Sequence, residues 1–233
     1  MQQNFTTIKK FPLNEHGRDY VVGDIHGCFE LLNSELTRLN FNPTTDRLFA
    51  VGDLIDRGPG SENALSWLKQ SWFHSCLGNH EEMILTLSPE SAAGQNWYQS
   101  YGGDWWLHLA PSARETFRTA FAQLPLAIEV ETTKGKVGLV HADIPMGMSW
   151  PTFTHLLEMG DLDTRQTALW GRNRIKRLIT SPVKEIDRVV CGHTVTSTRK
   201  IVTKANVWFI ETGAFLTEGG YGLTVLDTDE LFQ

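Results

Sequence analysis

The chain has little cysteine. Cys28, Cys76 and Cys191 are the only three in 233 residues, an odd count at wide spacing. A disulfide framework needs pairs, so these read as reduced thiols of a cytoplasmic protein, packed as small hydrophobes. No apolar run approaches the roughly 18 residues that a membrane-spanning helix requires. Residues 1–10 are polar and lack the apolar segment of a secretory signal. Basic residues do not prevail either: 21 Lys and Arg face 27 Asp and Glu, a net charge of −6. That balance repels a polyanion and argues against a nucleic-acid partner. An anionic substrate needs local positive charge, and bound cations are one source of it. Internal repeats, low-complexity tracts and charged linkers are also missing, so residues 1–233 read as one domain. No feature identifies a partner protein.

What the chain does have is a recurrence: apolar runs of strand length end in glycine and a side chain able to bind metal or to hydrogen-bond. Tyr20-Val21-Val22 precedes Gly23-Asp24, residues 48–51 precede Gly52-Asp53, and Ser75-Cys76-Leu77 precedes Gly78-Asn79-His80. Residues 137–140 precede His141-Ala142-Asp143, and Val189-Val190-Cys191 precedes Gly192-His193. Short continuous apolar runs read as strands buried on both faces, and glycine after them permits a sharp turn. Phe29, Leu32, Leu36 and Leu39 fall at helical spacing. Ala64, Leu65 and Leu68 form a shorter stripe, with Ser61 as the expected N-cap. Residues 126–130 and 136–140 read as a hairpin turning at Lys134-Gly135, and 208–210 and 221–226 add strands. The expectation is a mixed α/β fold with its chemistry on loops at strand ends.

Asp24 and His26 sit two apart, so in an extended segment both point the same way and can meet on one ion. Asp53 offers a carboxylate able to bridge two ions, Asn79 a neutral carbonyl oxygen, and His141 and His193 imidazoles. This oxygen and nitrogen mixture without thiolate suits Mn²⁺, Fe or Zn²⁺ better than a structural cysteine–zinc site does. Taken singly, each has a bland reading. Asp-x-His is commonly a turn, a strand-end histidine is commonly a satisfied structural residue, and Asn after Gly is commonly turn chemistry. Jointly, five strand ends would have to deliver ligand-type side chains by coincidence.

The segments Gly23-Asp24-Ile25-His26-Gly27, Gly52-Asp53-Leu54-Ile55-Asp56-Arg57-Gly58, Gly78-Asn79-His80-Glu81, His141-Ala142-Asp143 and Gly192-His193-Thr194 resemble the signature of the phosphoprotein phosphatase family, a branch of the calcineurin-like metallophosphoesterases. With Tyr101-Gly102-Gly103-Asp104-Trp105-Trp106 and Trp170-Gly171-Arg172, order and spacing are most similar to bacteriophage lambda protein phosphatase and its bacterial relatives. The resemblance spans residues 19–226. It implies a β-sandwich of mixed sheets flanked by helices, with two divalent ions. Asp24 and His26 would hold the first, Asp53 would bridge, and Asn79, His141 and His193 would hold the second, with Mn²⁺ the ion expected in assays.

The implied activity is phosphomonoester hydrolysis on a phosphorylated protein or peptide, on serine or threonine and also on tyrosine or histidine, by in-line attack of an activated water. His80 is the candidate general acid and Asp56 its partner. Arg57 and Arg172 would bind phosphate oxygens with their planar forks, beside Asn79; Arg174 competes with Arg172 for that role. Leu77 stands where many relatives carry arginine, so no third basic residue is expected there. Glu211 replaces an aspartate usual in relatives. Trp97, Tyr98, Tyr101, Trp105 and Trp106 are read as packing residues with no role at the site. His74, His108 and His155 are read as structural or surface residues, and His16 has no assignment. Two rivals remain. A symmetrical dinucleoside tetraphosphate hydrolase would carry Asp in place of Glu81, and an inactive phosphatase fold serving as a binding module need not keep its ligands.

Overall fold

The computed structural model describes residues 7–176, 180–216 and 220–233. Its strands are β1 (Ile8–Phe11), β2 (Asp19–Val22), β3 (Arg47–Ala50), β4 (Phe73–Ser75), β5 (Ala127–Thr132), β6 (Gly135–Val140), β7 (Arg188–Cys191), β8 (Val202–Lys204), β9 (Val207–Phe209) and β10 (Val225–Asp227). One sheet has the order β10-β2-β3-β4, with β2, β3 and β4 parallel and β10 antiparallel at its edge. The other runs β1-β5-β6-β7-β9-β8 and is mixed, with antiparallel pairs at β5–β6 and β8–β9.

Strand alternation explains how the sheets stack. Tyr20, Val22, Leu48 and Ala50 face a helical layer, whereas Val21, Phe49 and Val51 face Ile128, Val130, Val137, Leu139 and Val190 of the second sheet. Both faces of β2 and β3 are therefore dry, which is why their sequences are continuously apolar. The result is the expected β-sandwich.

Helices α1 (Phe29–Arg38), α2 (Ala64–Leu68), α3 (Asn79–Thr86), α4 (Ala92–Ser100), α5 (Asp104–Leu107) and α6 (Pro111–Phe121) lie in the first half of the chain. In α1, Phe29, Leu32 and Leu36 are buried against the first sheet, and each such side chain contributes roughly 1.5–3 kcal/mol. The outer face of the second sheet is covered by α7 (Trp150–Glu158) and α8 (Leu162–Trp170). Gly138 makes room there for Trp150, whose Nε1 donates to Glu129 at 2.8 Å; a Cβ at Gly138 would stand 2.5 Å from the indole.

Several local expectations shift. Strand β4 ends at Ser75, so Cys76 and Leu77 of the third apolar run continue beyond it as an extended connector, donating to the carbonyls of Ala50 and Pro125. Ser61 does not cap α2. It opens a 3₁₀ turn, and its buried hydroxyl accepts the Asp56 N–H at 2.8 Å instead. The 134–135 hairpin forms as expected. Only residues 225–227 of the 221–226 run and its successor pair as a strand. The N-terminal stretch yields β1, parallel to β5, while residues 1–6 of the polar stretch lie outside the described residues. Among the described residues no helix is long and apolar enough to cross a membrane.

Candidate metal centre

Five loops leave strand ends at one edge of the sandwich, and glycine lets the two sheets' loops touch. A Cβ on Gly192 would collide with the Asp24 carboxylate, and one on Gly78 with the Asp53 backbone. A Cβ on Gly52, at φ 112°, would stand 3.0 Å from His141 Nδ1. These contacts bring Asp24 and Asp53 from one sheet close to His141 and His193 from the other.

Asp53, His141 and His193 form one group whose ligand atoms all lie within 4.8 Å of one another; His26, Asp53 and His80 form a second. Asp53 belongs to both, the position a bridging carboxylate requires. Its Oδ2 is 3.4 Å from His141 Nε2, 3.7 Å from His26 Nε2 and 3.9 Å from His80 Nε2. Asn79, the first residue of α3, presents Oδ1 at 2.9 Å from His141 Nε2 and 2.8 Å from His193 Nδ1. Asp24 is buried beside them and accepts the His193 N–H through both oxygens, at 2.9 and 3.1 Å.

Ring orientation fits a cation. His26 Nδ1 and His141 Nδ1 face the carbonyls of Ile55 and Val51 at 2.8 and 3.0 Å, so each donates there and turns Nε2 inward. His193 turns Nδ1 inward, 3.2 Å from His141 Nε2, and its buried Nε2 has no partner among the described residues. Atoms that carry lone pairs in neutral histidine and asparagine thus converge on one point, an arrangement that calls for positive charge. The electrostatics agree. Burial favours neutral Asp53, but the His141 and His80 imidazoles outweigh it and hold the carboxyl well below its usual range. Burial opposes charge on His141 too, yet the Asp53 carboxylate raises it. Burial and His141 push His193 down to about 2, and burial with His80 keeps His26 neutral, the state in which imidazole binds metal. Asp24 is raised well above normal by burial and by neighbouring Glu211. A divalent cation would relieve that mutual repulsion of carboxylates.

Backbone strain concentrates at the same place. His26, Asp53, Asp56, Arg57 and His193 have φ of 45°, 49°, 68°, 67° and 65°. Each left-handed non-glycine residue costs about 1–3 kcal/mol and persists only where its surroundings hold it. Glu81 supplies part of that hold, accepting the N–H groups of Asp53, Leu54 and Gly78 at 3.0, 2.8 and 2.9 Å.

The remaining expected residues are placed as follows. His80 Nδ1 meets Asp56 Oδ2 at 2.7 Å, both fully buried. The exposed Arg57 reaches His26 Nε2 at 3.0 Å and His80 Nε2 at 3.2 Å, with its guanidinium 4.6 Å above the Phe215 ring. Arg172 extends to Thr194 Oγ1 at 3.3 Å, next to His193. Arg174 is buried elsewhere, its backbone N–H donating to Asp143 at 2.8 Å and its Nη1 to the Ser181 carbonyl at 2.7 Å. Glu211 is buried, accepts the Gly213 N–H at 2.8 Å, and is pushed by burial up to about 8. His74 packs between Phe11 and Phe49, away from the site.

The aromatic segment does reach the site, contrary to its reading as packing alone. Trp97 lies 5.4 Å from the His80 ring, Tyr101 stacks on Trp97 at 4.2 Å, and Trp170 flanks His193 at 6.0 Å. Trp105 Nε1 donates to Asp56 Oδ1 at 2.7 Å. Nothing in spacing signals this contact, because 49 residues separate the partners.

Residues 18–197 match the model of the calcineurin-like phosphoesterases. The chain belongs to that family. It is therefore a metal-dependent phosphoesterase, and divalent ions are part of its chemistry. It is 36% identical over 202 residues to serine/threonine-protein phosphatase 2 of Salmonella typhimurium, covering 84% of this chain and 87% of that one. The symmetrical bis(5'-nucleosyl)-tetraphosphatase of Photorhabdus laumondii is 47% identical, but over 68 residues only, 28% of this chain and 25% of that one. Among solved structures, a serine/threonine phosphatase from Saccharomyces cerevisiae with similarity to human phosphatase PP5 shares the fold at TM-score 0.66 and 16% identity, covering 94% of this chain and 76% of that one.

Proposed function

We propose that this phosphoesterase is a single-domain cytoplasmic protein phosphatase acting on phosphoserine and phosphothreonine, with phosphotyrosine and phosphohistidine as further substrates. The observation that carries the reading is the convergence of Asn79, His141 and His193 on Asp53, joined to similarity along most of a serine/threonine phosphatase.

When bound, two divalent ions, Mn²⁺ by expectation and Fe or Zn²⁺ by ligand type, supply an acidified water and offset charge on the phosphoryl oxygens. Asp24 and His26 would hold one, Asn79, His141 and His193 the other, with Asp53 common to both. Arg57 and Arg172 would bind phosphate oxygens from the solvent side, with the Asn79 amide as a further contact. Arg57 already lies over His26 and His80, at the mouth of the cluster. His80 would donate a proton from Nε2 to the departing alkoxide once Arg57, which donates to that atom here, turns to the phosphate, while Asp56 accepts from Nδ1 and keeps the ring oriented. Arg172 is preferred to Arg174 because Arg174 is spent on Asp143 and the Ser181 carbonyl.

The short match to a tetraphosphatase favours dinucleoside tetraphosphate as the second substrate to try. A panel of phosphopeptides and diadenosine tetraphosphate, each with Mn²⁺ and with chelator, tests the reading. Metal-dependent release of phosphate from the peptides supports it; cleavage of the dinucleotide alone overturns it.

A further inference from the structure

Asp56 and Arg57 are consecutive residues in the left-handed region, at φ 68° and 67°. A strained pair of this kind stays in place only if neighbours fix it. Here the neighbours can be named. Ser61 Oγ accepts the Asp56 N–H at 2.8 Å, the Gly102 carbonyl accepts the Arg57 N–H at 3.3 Å, and the His26 carbonyl accepts the Gly58 N–H at 2.9 Å. Both Asp56 carboxylate oxygens are taken at 2.7 Å, one by His80 Nδ1 and the other by Trp105 Nε1.

Two of these contacts come from one short stretch: Gly102 lies in the turn between α4 and α5, and Trp105 is the second residue of α5. Gly102, at φ 80°, is there because a Cβ would run into the Arg57 backbone. The Trp105 ring is set by edge contacts to Phe117 at 5.1 Å and Trp106 at 5.7 Å, so its N–H is aimed before the carboxylate arrives. A carboxylate bound at one oxygen can still turn about its terminal torsion. Bound at both, it cannot, and the imidazole on its far oxygen inherits the orientation.

We propose that Trp105 is a positioning residue. With the Gly102 carbonyl it braces the Asp56–Arg57 pair, so that the proton-donating His80 and the phosphate-binding Arg57 are held in one register. The inference rests on the reading of His80 as proton donor, and it gives the aromatic turn a role in turnover.

Trp105→Phe keeps the ring packing and deletes the donor. For the Mn²⁺-loaded enzyme on a phosphopeptide, kcat is expected to fall about tenfold with KM unchanged. In an Asp56→Ala background, which leaves no side-chain acceptor, the same change is expected to cost less than about twofold, because its partner is gone. An equal loss in both backgrounds, or none in the wild-type background, overturns the proposal. Trp105→His guards against a folding artefact, since its Nε2–H falls where the indole N–H stands. It is expected to regain part of the lost kcat, and a histidine variant no faster than the phenylalanine one also overturns the proposal. In metal-free protein, the Trp105 indole proton resonance should move upfield in Asp56→Ala; an unmoved resonance counts against the contact. His80→Asn, assayed in parallel with good and poor leaving groups, judges the proton-donor reading separately. An equal loss on both removes that reading and leaves the Trp105–Asp56 coupling measured in its own right.

Discussion

Glu81 Oε2 accepts the backbone N–H of Asp53 at 3.0 Å, and through its other contacts the same carboxyl ties the loop after β3 to the start of α3. Glu81→Ala would leave three buried N–H groups unpaired, each costing about 1–3 kcal/mol. Melting temperature should fall, and Mn²⁺ affinity measured by calorimetry should weaken about 10–100-fold as the Asp53 loop loses its hold. Unchanged affinity would show that the loop keeps its shape without this residue.

Asp53 is shared by both ligand groups, so Asp53→Asn should abolish binding of both ions, not one. Mn²⁺ added to the wild-type protein should raise its melting temperature in a concentration-dependent way, and the mutant should show no such rise. A mutant still stabilised by Mn²⁺ would refute the bridging position.

Arg172 and Arg174 should separate cleanly. Arg172→Ala is expected to weaken inhibition by inorganic phosphate while leaving the melting temperature near wild type, since among the described residues its side chain makes one hydrogen bond, to Thr194. Arg174→Ala strands Asp143 without its ion pair inside the protein, a change worth about 3–5 kcal/mol. The reverse pattern would exchange their roles.

His74 makes the fold acid-sensitive at a point remote from the metals. Burial, then Lys9 and Arg47, push its pKa down to about 4 from 6.5. The unfolded chain binds a proton below 6.5 that the folded chain refuses, so the contribution is intact above that pH and is lost as pH falls towards 4. Denaturant titrations between these values should show stability declining, with a flatter profile in His74→Phe. Identical slopes in the two proteins would remove His74 from the account.

The residues that gather at the candidate centre were legible because each ends an apolar run, behind a glycine in every case except His141, which follows Val140, a local pattern that one strand end suffices to produce. Asp24, Asp53, Asn79, His141 and His193 all come from such ends. The hairpin at 134–135 and the first helical stripe were legible for the same reason, being short-range periodicities. What escaped is long-range. Trp105 reaches Asp56, Ser61 abandons its helix to hold that residue's backbone, and Trp97 turns towards His80. None of these partners is announced by spacing, and an aromatic cluster has the same composition whether it fills a core or lines a site. The offset of β4 has a similar origin. Cys76 and Leu77 are as apolar as strand residues because they are buried in the connector, so hydrophobicity alone overran the ladder's end.

The left-handed residues at the metal centre set a limit on engineering this enzyme. Glycine is at ease at Arg57's φ, so Arg57→Gly should relax the backbone while deleting the fork proposed to bind phosphate. A campaign that selects for thermal tolerance alone would therefore be drawn to the very positions where turnover is made, and would enrich sturdier, slower catalysts unless activity were screened alongside.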